Sequence, residues 1–212
     1  VRKLADEKDI ILIFDECTSG FRQSFGGLHK IYDVEPDVAM FGKALGNGYA
    51  ITAVIGKSDI MQAAQKTFIS STFWTERIGP TAGLKTLEIM EREKSWESIT
   101  QKGNSIKIKW AEIAQKYDLP IAIGGIPALV NFSFKLKNWI KYKTYITQEM
   151  LKKNILANNM IYLSTEHTSQ IIKEYFYHLE PIFREIREFE DGKDINKSLI
   201  NMPAHSGFKR LN

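Results

Sequence analysis

Two residues in the 212-residue sequence carry the clearest chemistry, Asp15 and Lys43. Ile10-Ile11-Leu12-Ile13-Phe14 is a short, continuous apolar and β-branched run, which reads as a fully buried strand of a parallel sheet. It ends at Asp15-Glu16. A carboxylate at the carboxyl end of a buried parallel strand stands where open α/β sheets bind ligands, so Asp15 is a candidate site residue. A second apolar piece, Val38-Ala39-Met40-Phe41, leads into Gly42-Lys43-Ala44-Leu45-Gly46-Asn47-Gly48, where one lysine is set among glycines. A lysine held there can be partly desolvated, which makes its amine available as a nucleophile.

An acid at one strand end and a glycine-framed lysine after the next are what pyridoxal phosphate chemistry needs. The lysine forms the Schiff base, and the acid keeps the pyridine nitrogen protonated so that the ring acts as an electron sink. Without Asp15 upstream, the Gly42–Gly48 stretch would read as a loop with an exposed lysine. A phosphate loop of the order strand-G-x-x-x-x-G-K-[ST] is absent. No Gly-x-Ser-x-Gly elbow supports a serine nucleophile beside His205 and Ser206.

Three ordered motifs extend this reading: Ile13-Phe14-Asp15-Glu16-Cys17-Thr18-Ser19-Gly20-Phe21-Arg22, then Glu35-Pro36-Asp37, then Phe41 to Gly48. They resemble the signatures of class III aminotransferases, nearest to the glutamate-1-semialdehyde aminomutase-like branch. The resemblance implies an α/β protein of the fold-type I, aspartate aminotransferase-like class, with pyridoxal 5'-phosphate as cofactor and no metal. It implies Lys43 as the Schiff-base lysine and Asp15 as the partner of the pyridine nitrogen, with Glu16 secondary. It further implies a homodimer whose site is shared between subunits, acting on a small-molecule amino donor and a keto or aldehyde acceptor. A family threonine that binds the cofactor phosphate across that dimer falls at Thr75 when the chain is aligned on Pro80. Thr72, in its Ser-Thr-Phe context, competes for the role. Glu76-Arg77-Ile78-Gly79 departs from the family's usual glycine-asparagine form here, and the alternative for this stretch is a turn and N-cap before a helix from Thr81 to Glu93.

Composition narrows the class further. With 43% hydrophobic and 11% aromatic residues the chain has enough apolar mass for a soluble core. The 29 Lys+Arg and 25 Asp+Glu are scattered or paired, so the net charge of +4 describes a solvated surface and no nucleic-acid partner is expected. The one cysteine, Cys17, excludes an internal disulfide framework, suits a reducing, cytoplasmic setting, and reads as a buried structural thiol. No apolar run approaches a membrane span.

Val1 to Lys8 has the spacing of the last turns of an amphipathic helix with no N-cap before it. Together with the resemblance, this suggests the C-terminal half of a longer protein: 1–94 as the C-terminal part of a cofactor-binding large domain, and 95–212 as a small C-terminal domain. The elements expected around the motifs are a polar, glycine-rich loop from Thr18 to Gly27, a helical turn at Leu28–Asp33, and a strand from Tyr49 to Gly56. A helix capped by Ser58 follows. Beyond residue 94 the pattern gives a helix from Trp96 to Tyr117, strands at Ile121–Ile126 and Ala128–Phe134, a helix from Thr147 to Asn159, a strand at Met160–Leu163 and a final helix from Ser169 to Glu190, kinked by Pro181. Arg22 is either a surface or dimer-contact residue or a substrate clamp, and His167 a capping or structural histidine. His205–Asn212 is a polar tail.

No Arg-x-x-Pro carboxylate clamp follows Met160. That favours an aminomutase-like reaction or amino transfer to a differently bound substrate such as a sugar. The rival readings are an inactive remnant that keeps fold and dimer surface, and a basic binding module.

Overall fold

The computed structural model describes residues 1–70, 72–73 and 75–205. Ser71, Trp74 and the tail from Ser206 onward lie outside the described residues. The chain divides into two compact units, Val1–Thr100 and Gln101–Asn212.

The first unit opens with α1 (Arg2–Glu7), and its sheet contains β1 (Ile13–Asp15), β2 (Val38–Phe41) and β3 (Ala53–Gly56) in that order. β1 and β2 are parallel, with Ile13 beside Val38 and Asp15 beside Met40, while β3 runs antiparallel to β2 and starts at Ala53 rather than the expected Tyr49, whose amide closes the preceding turn onto the Gly46 carbonyl. Alternation along β2 points Ala39 and Phe41 to one face, where they pack with Leu45, Phe21, Ile51, Ala53 and Leu87. The opposite face carries Ile13, Asp15, Met40 and Val54. It is exposed at Ile13 (54%) and Val54 (51%), whereas Val38 on the same face is buried.

The expectation of a fully buried strand from Ile10 to Phe14 is therefore corrected. Regular pairing starts only at Ile13, and Ile10 and Ile11 are half exposed. Among the described residues β1 has β2 as its one sheet neighbour, and Ile13 and Asp15 are exposed.

Asp37, the acid of the Glu35-Pro36-Asp37 turn, ties this unit together. Its carboxylate accepts from the Leu12 amide at 2.8 Å, from Arg2 of α1 at 2.9 Å and from Lys57 after β3 at 2.7 Å. The Leu12 hydrogen bond, then Lys57 and Arg2, hold its carboxyl well below the usual carboxylate range. After β3 comes α2 (Ser58–Met61), a single turn with no side-chain cap, so Ser58 is not the N-cap expected of it. α3 (Ile78–Glu93) starts three residues before the expected Thr81, because the Glu76 carboxylate accepts from the Ile78 and Gly79 amides and so extends the helix backward. α4 (Ser95–Lys116) runs from the first unit into the second.

The second unit has an antiparallel sheet of β4 (Ile121–Gly124), β5 (Leu129–Phe134) and β6 (Met160–Tyr162) in that order, with α5 (Trp139–Leu151) and α6 (Ser169–Glu190). Val130, Phe132 and Phe134 alternate inward from β5, all buried; Phe132 packs on Trp110 and Phe183, and Phe134 on Phe183. The helix expected from Thr147 to Asn159 instead starts at Trp139 and stops at Leu151. Asn154 takes a left-handed φ of 60°, and the Ile155 amide folds back onto the Met150 carbonyl at 3.1 Å, a glycine-type helix stop built on asparagine. α6 is one helix through Pro181. Its cap is Thr168, whose hydroxyl accepts from the Ile171 amide, while His167 accepts from the Ser164 amide at 3.1 Å and so closes the preceding turn.

Two stability outcomes follow. Phe132→Ala should cost the second unit about 3–5 kcal/mol, read from denaturant unfolding, since it empties the centre of an aromatic core. Asp37 is depressed in the folded state, so its contribution is fully present above its unfolded value of about 4 and is lost as pH falls below that. Thermal melts against pH should show Asp37→Asn less stable than the parent at neutral pH, the gap narrowing as the solution is acidified.

Candidate active site

The carboxyl ends of β1 and β2 lie side by side because the strands are parallel and in register at Asp15 and Met40. The chain leaves β1 through Glu16–Gly27 and leaves β2 through Gly42–Gly48. Asp15 is exposed at this edge, and its Oδ1 accepts from the Cys17 amide at 3.0 Å. It lines a shallow cleft of about 290 Å³ with Ile13, Phe14, Ser19 and Tyr32.

Lys43 begins a short 3-10 turn and has a φ of 44°, in the left-handed region that residues with a Cβ seldom adopt. Such backbone persists only where its surroundings fix it. Here the Leu45 amide bonds to Gly42 and the Gly46 and Asn47 amides to Lys43. A Cβ on Gly46 would collide with the Tyr49 carbonyl oxygen, and one on Gly42 would sit 3.0 Å from the Cys17 sulfur. The turn is held from behind by α3, where Gly79 and Gly83 bring the helix against Ala50 and Ile51. Lys43 is exposed rather than partly desolvated, a correction to the sequence expectation, and its Nζ donates to the Thr18 hydroxyl.

Glu16 lines the same cleft as Asp15, but its carboxylate is turned inward. It is buried and accepts from the Ser19 hydroxyl, from the His29 amide at 3.0 Å and from His29 Nδ1 at 3.0 Å. Burial pushes the Glu16 carboxyl up, but hydrogen bonds from Ser19, His29 and Leu28 outweigh that and hold it below its ordinary value. The pair braces the glycine-rich loop from inside. Arg22 supports the same loop, its Nε donating to the Thr18 carbonyl at 2.7 Å. Cys17 is half-buried against Gly42 rather than fully buried, since it lies on the loop at the sheet edge.

Thr72 and Thr75 are exposed on the segment ahead of α3, and the first amides of α3 are bonded by Glu76. Neither Thr18 nor the capping role of Glu76 was identified from sequence. Thr18 lies three residues past Asp15 and Lys43 three past Met40, so the register that pairs Asp15 with Met40 also sets Thr18 level with Lys43. A hydroxyl at that offset is a signal only once the register is known.

Residues 1–169 match the family model described as aminotransferase class-III. The chain belongs to the class-III aminotransferase family. Among relatives, the 3-aminobutyryl-CoA aminotransferase of Cloacimonas acidaminovorans is 36% identical over 176 residues, covering 80% of this chain and 42% of that protein. The glutamate-1-semialdehyde 2,1-aminomutase of a Sulfurihydrogenibium species is 26% identical over 191 residues, covering 82% and 45%. In fold, the chain is similar to the FumI protein of Sphingopyxis sp. MTA144, solved in its PLP internal aldimine form, with a TM-score of 0.82 at 22% identity over 93% of this chain and 48% of that one. This class-III chain thus has the fold of known transaminases, and it spans less than half the length of the relatives it matches.

The glycines of the Lys43 turn should respond unequally to alanine. Gly46→Ala must displace the Tyr49 carbonyl and is expected to cost roughly 1–3 kcal/mol, with faster amide exchange across residues 42–49. Gly48→Ala meets open space and bears only the strain of its φ of 104°, about 1 kcal/mol. Chemical denaturation of both variants checks the order.

Proposed function

We propose that the protein carries out pyridoxal 5'-phosphate-dependent amino-group transfer, with Lys43 holding the cofactor covalently and Asp15 facing its pyridine nitrogen. The observation that supports this reading is the parallel pairing of β1 with β2, which puts Asp15 at the end of one strand and Lys43 just past the end of its neighbour. The bound cofactor supplies an electron sink for a substrate amine carbon. Lys43 is the lysine suited to hold it. Lys57 is committed to Asp37 in an ion pair of 2.7 Å, and Lys30 reaches the Phe25 carbonyl at 3.5 Å. With the cofactor bound, Lys43 would be the residue to hold it, and its amine would serve as general base and acid for the substrate carbon. Asp15, a carboxylate at fixed height on β1, favours the protonated pyridine nitrogen throughout.

Thr72 and Thr75 are the candidate phosphate contacts, and we assign them to the site of a second copy of the chain. Phe68, Ile69 and Phe73 on the same segment are exposed, at 95%, 58% and 61%, and such a run of large apolar side chains suits a dimer surface. The substrates are read as a small amino donor and a keto or aldehyde acceptor. Relatives of both kinds, a 3-aminobutyryl-CoA aminotransferase at 36% identity and a glutamate-1-semialdehyde 2,1-aminomutase at 32%, keep the reading at amino-group transfer that includes an intramolecular mutase. No helix among the described residues is long and apolar enough to cross a membrane, and the lone cysteine suits a reducing compartment, which we take to be the cytoplasm.

Borohydride reduction in the presence of the cofactor, followed by peptide mapping, tests the assignment. A pyridoxyl label on Lys43 is expected, and a label on Lys57 or Lys30 instead would overturn it. Asp15→Asn keeps the shape but removes the charge, so amino transfer should fall by roughly 10²-fold or more. Activity within a few-fold of the parent would refute the role of Asp15.

A further inference from the structure

A lysine that must both give and take a proton needs a partner that tolerates both states. Most paired lysines here do not have one. Lys57, Lys116, Lys152 and Lys193 each meet a carboxylate, at 2.7, 2.5, 2.7 and 2.8 Å, and a carboxylate favours only the charged ammonium. Lys43 meets a neutral hydroxyl, that of Thr18. A hydroxyl accepts from an ammonium and, by rotating its proton, donates to a free amine.

Thr18 is also held more firmly than a loop residue usually is. Its carbonyl accepts from Arg22 Nε, the Cys17 amide before it is bonded to Asp15, the Ser19 hydroxyl after it is bonded to buried Glu16, and the Gly20 amide closes onto the Glu16 carbonyl at 2.7 Å. A Cβ on Gly20 would stand 2.6 Å from the Phe41 ring and 2.7 Å from the Glu16 carbonyl oxygen, so this loop lies directly on the strand that delivers Lys43. Its partner is constrained from the other side by the left-handed backbone of Lys43. Two segments, each held by its own hydrogen bonds and packed on each other at Gly20 and Gly42, are joined by this hydrogen bond.

We propose that Thr18 is the positioning residue for Lys43: its hydroxyl holds the amine at the end of β1, beside Asp15, in either protonation state. The proposal rests on the role given to Lys43 above. Thr18 acts through Lys43, by fixing where the amine stands when it would condense with the cofactor's aldehyde, forming the C=N bond as the carbonyl oxygen leaves as water, and when it carries a proton.

The test compares Thr18→Val, which keeps the shape and removes the hydroxyl, with Thr18→Ser, which keeps the hydroxyl. In the cofactor-free protein, carbon relaxation at the lysine Cε positions should show Lys43 restricted in the parent and in Thr18→Ser and freed in Thr18→Val. With pyridoxal phosphate added, attachment trapped by borohydride at timed intervals should slow roughly tenfold or more in Thr18→Val and stay near the parental rate in Thr18→Ser. Lys43 equally restricted in Thr18→Val, or attachment at the parental rate, overturns the proposal while leaving Lys43 as the cofactor lysine. Equal losses in both variants also overturn it, because the methyl group or the loop fold, not the hydroxyl, would then be what matters. A label on a lysine other than Lys43 removes the underlying reading and this proposal together.

Discussion

Parallel pairing of β1 with β2 in the register that sets Asp15 beside Met40 is the constraint on which the candidate site depends. It places the end of β1 and the end of β2 at one edge of the sheet. It also sets the two following loops at matching offsets, so that Thr18 and Lys43 meet. A slip of one residue would turn Asp15 to the other face of the sheet and part the hydroxyl from the amine. Register is set by side chains as well as by the ladder. Ala39 and Phe41 turn to the packed face and Asp15 to the opposite one, and Asp37 pins the start of β2 to the Leu12 amide just before β1.

What surrounds the site is built to stay still. Glu16 and His29 form a buried, hydrogen-bonded core inside the glycine-rich loop, and Phe14 packs edge-on to the His29 ring at 5.9 Å. Asp37 joins α1, the approach to β1 and the exit from β3 in one set of charge-assisted bonds. Lys43 sits in a backbone conformation that its neighbours hold in place. Rigid first contacts of this kind are what amine chemistry at a fixed carbon requires, because catalytic groups lose much of their advantage when displaced by about an ångström.

Much of this was legible in the sequence, for reasons that can be traced residue by residue. β2, the Lys43 turn, the Leu28 turn and α6 are marked by short apolar runs, glycines or a strong helical period, and these local signals survive into the fold. What was not legible depended on pairing between distant segments. The exposure of Ile13 and Lys43 depends on what packs around them, and that is invisible in the runs themselves. Thr18 needs the strand register. The early start of α3 needs Glu76 to turn its carboxylate onto the helix amides, whereas the pattern around Pro80 pointed to Thr81. The end of α5 turned on Asn154 taking a left-handed conformation, which asparagine permits without announcing.

The central claim is that Asp15 and Lys43 serve one cofactor from adjacent strand ends. It is tested most directly by the nitrogen resonance of pyridoxal phosphate labelled with ¹⁵N in its ring and bound to the protein. The account predicts a resonance in the protonated pyridinium range for the parent, with the cofactor attached through Lys43, and a shift to the unprotonated range in Asp15→Asn with attachment retained. A nitrogen whose protonation is the same in both proteins would contradict it.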